Sequence, residues 1–151
     1  DILGDGPERA ALEAQVAAAG LTDHVRFLGF RSQSECADVL RASDALILNS
    51  LRECGGAVVL EAMSMGRPVI AADWGGPADY IDPGCGILVP PAPRQDFPDR
   101  LALAILDLAN RPETRQAMGE AGIRKIQSQF DWQKKVDRVL GIYHEALEKH
   151  R

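Results

Sequence analysis

Several things that would each point to a function are scarce or missing in this sequence. Lys and Arg number 17 against 22 Asp and Glu, a net charge of −5 over 151 residues. A nucleic-acid binder carries a basic face, so that class is excluded. No apolar run reaches the roughly 20 residues of a bilayer-spanning helix, and no signal-peptide pattern opens the chain. Cysteine is limited to Cys36, Cys54 and Cys85, an odd set without metal-type spacing. A reduced, cytoplasmic setting is therefore expected. There is no internal repeat, linker or low-complexity tract. An initiating Met is also missing: Asp1 leads at once into ILGDGPE, which reads as the end of a buried strand and its turn. The chain is expected to be a fragment of a longer protein.

What is present suits a packed α/β domain. Apolar residues make up 46% of the chain, enough for a real core at this length. Ile2-Leu3 ends a first strand, and GDGP (4–7) turns into a helix over about 7–19 with Pro7 at its first position. Leu12, Val16 and Ala19 fall at helical spacing, and Gly20 closes that helix. VRFLGF (25–30) reads as a strand, and Ser32 with Glu35 forms a capping box for a helix to about Ala42. ALILN (45–49) is apolar throughout most of its length, as a strand buried on both faces would be. Then come a buried helix AVVLEAMSM (57–65) stopped by Gly66, the strand PVIAA (68–72), the turn DWGGP (73–77), a short helix near 77–81 and the strand GILVP (86–90).

From Phe97 the pattern is helical, with Leu101, Ile105 and Leu108 on one face. Arg111-Pro112 breaks into a second helix to about Gln127. The last helix, about 131–149, lines up Trp132, Val136, Val139, Leu140, Tyr143 and Leu147. Short apolar strands alternating with helices predict a Rossmann-like parallel sheet with helices on both faces, ending in a helical C-terminal segment. Ligands of such sheets sit beyond the carboxyl ends of the strands, which singles out loops 4–6, 29–32, 49–56 and 73–77.

One of these loops is flanked by acid. Glu53 and Glu61 stand eight positions apart around Gly55-Gly56, at a strand-to-helix junction. Glycine lets backbone approach a ligand closely, and open N–H groups at a helix start favour a phosphate. The amides of Gly56, Ala57 and Val58 are the candidates; the same glycines would also serve a tight turn with no ligand. Glu61, in the first turn or so of an apolar helix, could simply complement the helix dipole. Its apolar neighbours suggest burial instead, and a vicinal diol is a fitting partner because both hydroxyls can donate to one carboxylate. That would be worth about 1.5–3 kcal/mol per charged hydrogen bond, enough to select a ribose. Glu53 could hold sugar hydroxyls in the same way.

These residues carry a resemblance. Glu53, Gly56, Glu61-Ala62-Met63, Gly66-Arg67-Pro68 and Gly75-Gly76 resemble the signature of the family 4 retaining glycosyltransferases, which have the GT-B fold. GDGPE (4–8), FLGF (27–30), SDALILNS (43–50), GILVPP (86–91) and FDW (130–132) look like further landmarks of that family, in order. The resemblance implies the donor-binding, C-terminal half of a two-domain enzyme, with residues 1–151 forming a single nucleotide-sugar-binding domain, N-terminally truncated. A strand–helix unit before Ile2, carrying the Arg and Lys that neutralise the diphosphate, and the whole acceptor-binding N-terminal domain would be missing. Strand 45–49 and the strand ending at Leu3 would then not be direct neighbours.

By the same resemblance, Glu61 holds the ribose hydroxyls, while Glu53, Gly55 and Gly56 meet the transferred sugar. The amides of Gly56, Ala57 and Val58 meet phosphate or sugar, and the backbone around Phe30 and Arg31 meets the nucleobase. The implied reaction moves a hexose from a nucleotide diphosphate sugar to an acceptor hydroxyl of a glycan, polysaccharide or lipid-linked sugar. The anomeric configuration is retained, no metal or other cofactor is obligatory, and no side chain is assigned as a catalytic acid or nucleophile. The chain alone is expected to be inactive. One departure stands out: family members often carry Gly-Phe before Gly56, where this chain has Cys54-Gly55.

Competing readings are a GT-B-fold sugar-nucleotide epimerase or phosphorylase, and a non-catalytic sugar-nucleotide-binding module. Gly4-Asp5-Gly6 lacks the third glycine of a dinucleotide fingerprint, and no phosphate-loop motif occurs. His24, His144 and His150 are scattered, as solvated surface residues would be. Cys54 reads as a small filler, and Trp74 as shaping its loop. Lys134, Lys135 and Arg138 read as a solvated helix face, with peripheral contact to anionic lipid at the inner membrane face as the alternative.

Overall fold

The computed structural model describes residues 1–149, so His150 lies outside the described residues. The chain divides into two compact units, Asp1–Ala42 and the remainder from Ser43. In the first, β1 (Ile2–Leu3) pairs in parallel with β2 (Phe27–Gly29), accompanied by α1 (Arg9–Ala18) and α2 (Gln33–Ala42). Pro7 does not open the helix as expected. It belongs to the turn, because Asp5 accepts a hydrogen bond from the Gly6 amide at 2.8 Å and Arg9 N–H donates to Gly6 O, delaying α1 to Arg9. Gly20 closes α1 as predicted: at φ +69° it lets Leu21 N–H reach Val16 O and Gly20 N–H reach Ala17 O, both at 3.0 Å. The capping box also forms. Ser32 N–H donates to Glu35 Oε2 at 2.8 Å, and Glu35 N–H donates to Ser32 Oγ at 3.3 Å. The Ser32 hydroxyl, which donates to Glu35 Oε2 at 2.7 Å, and then the Ser32 amide hold the Glu35 carboxyl below its usual range.

The second unit is built on a parallel sheet in the order β3-β4-β5: Leu46–Leu48, Val69–Ala72 and Gly86–Val89. β1 and β3 thus belong to separate sheets. Every residue of β4 is buried. Ile70 and Ala72 pack with Val89 and with Phe97 and Leu108 of α5 (Phe97–Ala109). Val69 and Ala71 point the opposite way by the two-residue strand period and are equally buried, so both faces of this strand are covered. β3 is different. It is an end strand of its sheet, and Ile47 is 40% exposed rather than buried on both faces as its apolar composition predicted.

On α5 the inward face is Phe97, Leu101, Ala104 and Leu108, while Ile105 is exposed. Phe97 anchors the helix and sets that phase, which rotates position 105 out of the seam.

Two helices of this unit approach unusually closely. α3 (Ala57–Ser64) ends at Gly66, φ +70°, and α6 (Pro112–Lys125) crosses it through Gly119 and Gly122. A β-carbon on Gly119 would overlap the carbonyl oxygen of Gly66, and one on Gly122 would stand 3.4 Å from Met63. α6 does not run on as an α-helix to Gln127; residues Ile126–Phe130 form a π turn. Asp131 then leaves helical geometry, and its carboxylate accepts hydrogen bonds from the amides of Gln133 and Lys134 at 2.9 and 3.3 Å. It thereby caps α7 (Trp132–Lys149), whose apolar stripe is exposed along its length. Among the described residues no helix is long and apolar enough to cross a membrane.

Lys125 Nζ donates to Asp82 at 2.6 Å, tying the end of α6 to the turn before β5. This bond, with the Gly84 amide, holds the Asp82 carboxyl below the usual carboxylate range. A carboxyl depressed in the folded state stabilises fully above its unfolded pKa of about 3.9, and the gain is lost as pH falls through the lower folded value. Asp82→Asn is expected to cost less than about 1 kcal/mol at pH 7, because half of that side chain is solvated. Urea melts of variant and parent should converge as pH falls through that lowered value; an equal gap at all pH values would contradict this.

Candidate functional site

After β3 the chain spends residues 49–56 reaching α3, and the geometry of that turn depends on Gly56. Its φ of +60° and ψ of +45° are left-handed, a conformation glycine adopts without steric cost. The Gly56 amide donates to Glu53 Oε1 at 3.1 Å, so the first glutamate folds back over the helix start. One of the three amides expected to face phosphate is therefore engaged in this state. The Ala57 and Val58 amides make no hydrogen bond among the described residues, leaving two donors open at the positive end of the helix.

Glu61 falls in the second turn of α3, not the first. Dipole effects fade beyond the first turn, so a helix-end charge does not explain it. It is half-buried, and its carboxylate meets no hydrogen-bond donor or cation among the described residues. Being four residues on from Ala57, it lies on the same side of the helix, about 6 Å farther along the axis.

The loop after β4 presses directly on this one. Gly76 packs against the Gly55 backbone so tightly that a β-carbon would stand 2.7 Å from Gly55 O and 2.8 Å from its Cα. Gly75, at φ +61°, could carry one only 3.1 Å from Glu53 O, and a β-carbon on Gly56 would meet Pro77 Cγ at 3.0 Å. The two glycine pairs are thus the surfaces of one backbone-to-backbone contact at the carboxyl ends of β3 and β4. Trp74 is largely exposed, and its backbone amide donates to Ala72 O at 2.8 Å.

Sequence reasoning missed Tyr80. It ends α4 (Gly76–Tyr80) four residues after Gly76, on the same side of the helix, and its phenol oxygen is the nearest heavy atom to the absent side chain of Gly55. The only available signal was that i, i+4 spacing, which carries no message until the Gly76–Gly55 contact is known.

Phe30 and Arg31 belong to the first unit. Phe30 is 81% exposed just past β2, and Arg31 pairs with Glu35 at 3.4 Å. Beside them, loops 4–6 and 29–32 meet where Gly4 N–H donates to Gly29 O at 2.9 Å. His24 and His144 are exposed. Lys134 Nζ donates to Gln127 O at 2.7 Å and Lys135 lies over the Phe130 ring at 5.0 Å, so both are engaged at the π turn. Cys85 is buried, which pushes its thiol up, whereas Cys54 is exposed beside Glu53. In the folded protein a maleimide should modify Cys54 well before Cys85, as peptide mass spectrometry would show; equal rates would place Cys54 elsewhere than on an open loop.

Comparison with known proteins adds four observations. A sequence model described as Glycosyl transferases group 1 matches residues 1–125. The D-inositol 3-phosphate glycosyltransferase of Saccharomonospora viridis is 34% identical over 157 aligned residues, covering 99% of this chain and 35% of that protein. Among solved structures, sucrose-phosphate synthase from Thermosynechococcus elongatus superposes with a TM-score of 0.80 at 28% identity, over 97% of this chain and 38% of that one. HepE of Anabaena, solved with UDP and glucose, gives a TM-score of 0.68 at 25% identity, over 95% of this chain and 39% of that one. The chain thus spans about a third of the length of the curated relatives it matches.

Proposed function

This chain belongs to the glycosyl transferase group 1 family, with the α/β fold of the GT-B glycosyltransferases, and from that premise we propose that it holds the donor in a nucleotide-sugar-dependent glycosyltransferase. The whole protein moves a hexose from a nucleotide diphosphate sugar to an acceptor hydroxyl, with retention of configuration. The observation that carries this reading is the half-buried, unpartnered Glu61 one helical turn from the open Ala57 and Val58 amides. An anion at the amides and a diol at the carboxylate are the two ends of a ribose 5′-diphosphate.

In this reading Glu61 takes the ribose hydroxyls, and the Ala57 and Val58 amides take phosphate oxygens. Glu53 takes hydroxyls of the transferred sugar together with the Gly55 and Gly56 backbone. The Gly56 amide becomes available to the ligand when Glu53 turns from it. Catalysis then rests on positioning and on stabilising the negative charge that grows on the departing diphosphate. The acceptor belongs to a further domain of the longer protein, and this chain alone is inactive.

Saturation-transfer NMR on the full-length protein with uridine, guanosine and adenosine diphosphate sugars tests the reading. One donor should show saturation of both its ribose and its sugar protons. Contact with none of the three would sink it.

A further inference from the structure

We propose that Tyr80 reads the transferred sugar, its hydroxyl hydrogen-bonding a sugar hydroxyl of the donor across the space left by the missing side chain of Gly55. The inference rests on the donor-site reading above and adds to it a specificity residue on a different element.

Three observations converge. First, the phenol oxygen stands 3.9 Å from where a β-carbon of Gly55 would be, so it looks onto the loop between Glu53 and the start of α3. Second, the ring is held in place: Phe130 meets it edge-on, centroids 5.4 Å apart at 85°, and Lys135 Nζ covers Phe130 at 5.0 Å. An aromatic pair of this geometry fixes the ring plane and therefore the direction of the C–O bond. Third, the hydroxyl makes no hydrogen bond among the described residues, although the ring is half-buried. Packing on Phe130 needs only the ring, and a phenylalanine would supply it. The oxygen is the part that the fold does not use.

Gly55 makes this possible. Its φ lies outside the left-handed region and its nearest neighbour is only at contact distance, so neither strain nor crowding demands glycine there. That sets it apart from Gly56 and Gly76, which the backbone does require. What glycine provides at position 55 is an open approach between the loop and the phenol.

The test uses the full-length protein and calorimetric titration with UDP-glucose, GDP-mannose and ADP-glucose, each beside its bare nucleoside diphosphate. Tyr80→Phe keeps the ring and its contact with Phe130. It should weaken binding of the preferred sugar nucleotide by about three- to tenfold, the range of one neutral hydrogen bond, and leave the bare diphosphate unchanged. Gly55→Ala, which the backbone accommodates, should produce the same selective loss by filling the gap. Unchanged sugar-nucleotide affinity in Tyr80→Phe overturns the role of Tyr80 while leaving the donor site intact. Equal losses for sugar nucleotide and diphosphate also overturn it, making Tyr80 a packing residue. A parent protein that binds none of the six ligands overturns the donor site and this inference together.

Discussion

Alanine at position 119 is expected to destabilise the protein by about 3 kcal/mol or more, the upper range for overpacking a fixed contact. On propensity alone the sign would be reversed. Gly119 sits within α6, where replacing glycine by alanine normally gains about 1 kcal/mol. The added methyl, however, would overlap the carbonyl of Gly66, itself fixed at φ +70° by the end of α3. Neither partner is a flexible side chain that could move aside, so α6 would have to withdraw and open the seam around Met63 and Gly122. Gly141 is the internal control. It lies within α7 with nothing near its would-be β-carbon, and Gly141→Ala should be neutral or stabilising by up to about 1 kcal/mol. Urea denaturation of both variants decides the matter: a stabilised Gly119→Ala would mean that α3 and α6 do not meet as described.

Removing the second glutamate should act on binding and hardly on folding. Glu61→Ala is expected to weaken the preferred nucleotide sugar by about 1.5–3 kcal/mol, roughly tenfold to a hundredfold, the worth of hydrogen bonds to a charged group. Its carboxylate has no partner among the described residues, so the fold loses little when it goes. Glu53 differs, because its carboxylate already holds the Gly56 amide, and substitution there would disturb the loop as well as any ligand. The sharper readout is discrimination at the ribose. The parent should prefer a ribonucleotide over its 2′,3′-dideoxy counterpart, and Glu61→Ala should bind the two alike. If the variant keeps the preference, another group reads the diol and the assignment of Glu61 fails.

The residues by themselves determined what depends on near neighbours in the chain. The strand and helix order, the Ser32–Glu35 box and the stops at Gly20 and Gly66 were all legible, because each is settled within about five residues by backbone geometry and hydrogen bonding. So was the spacing of Glu61 from the start of α3, since one helical turn fixes it. The closure of residues 53–56 by Glu53 was not foreseen, although Gly56 is only three residues away; an acidic side chain can turn inward or outward, and composition does not choose.

Tertiary structure alone decided the rest. Ile47 is exposed and Ile105 turns outward in favour of Ala104 because the sheet order and the anchoring of Phe97 set which faces are covered. Gly119 against Gly66, Gly76 against Gly55 and Tyr80 over Gly55 are approaches between segments some twenty to fifty residues apart. Close packing leaves no room for a methyl at the tightest of these points. A glycine in a sequence says only that a side chain is missing; the segment that fills its place is brought there by the fold.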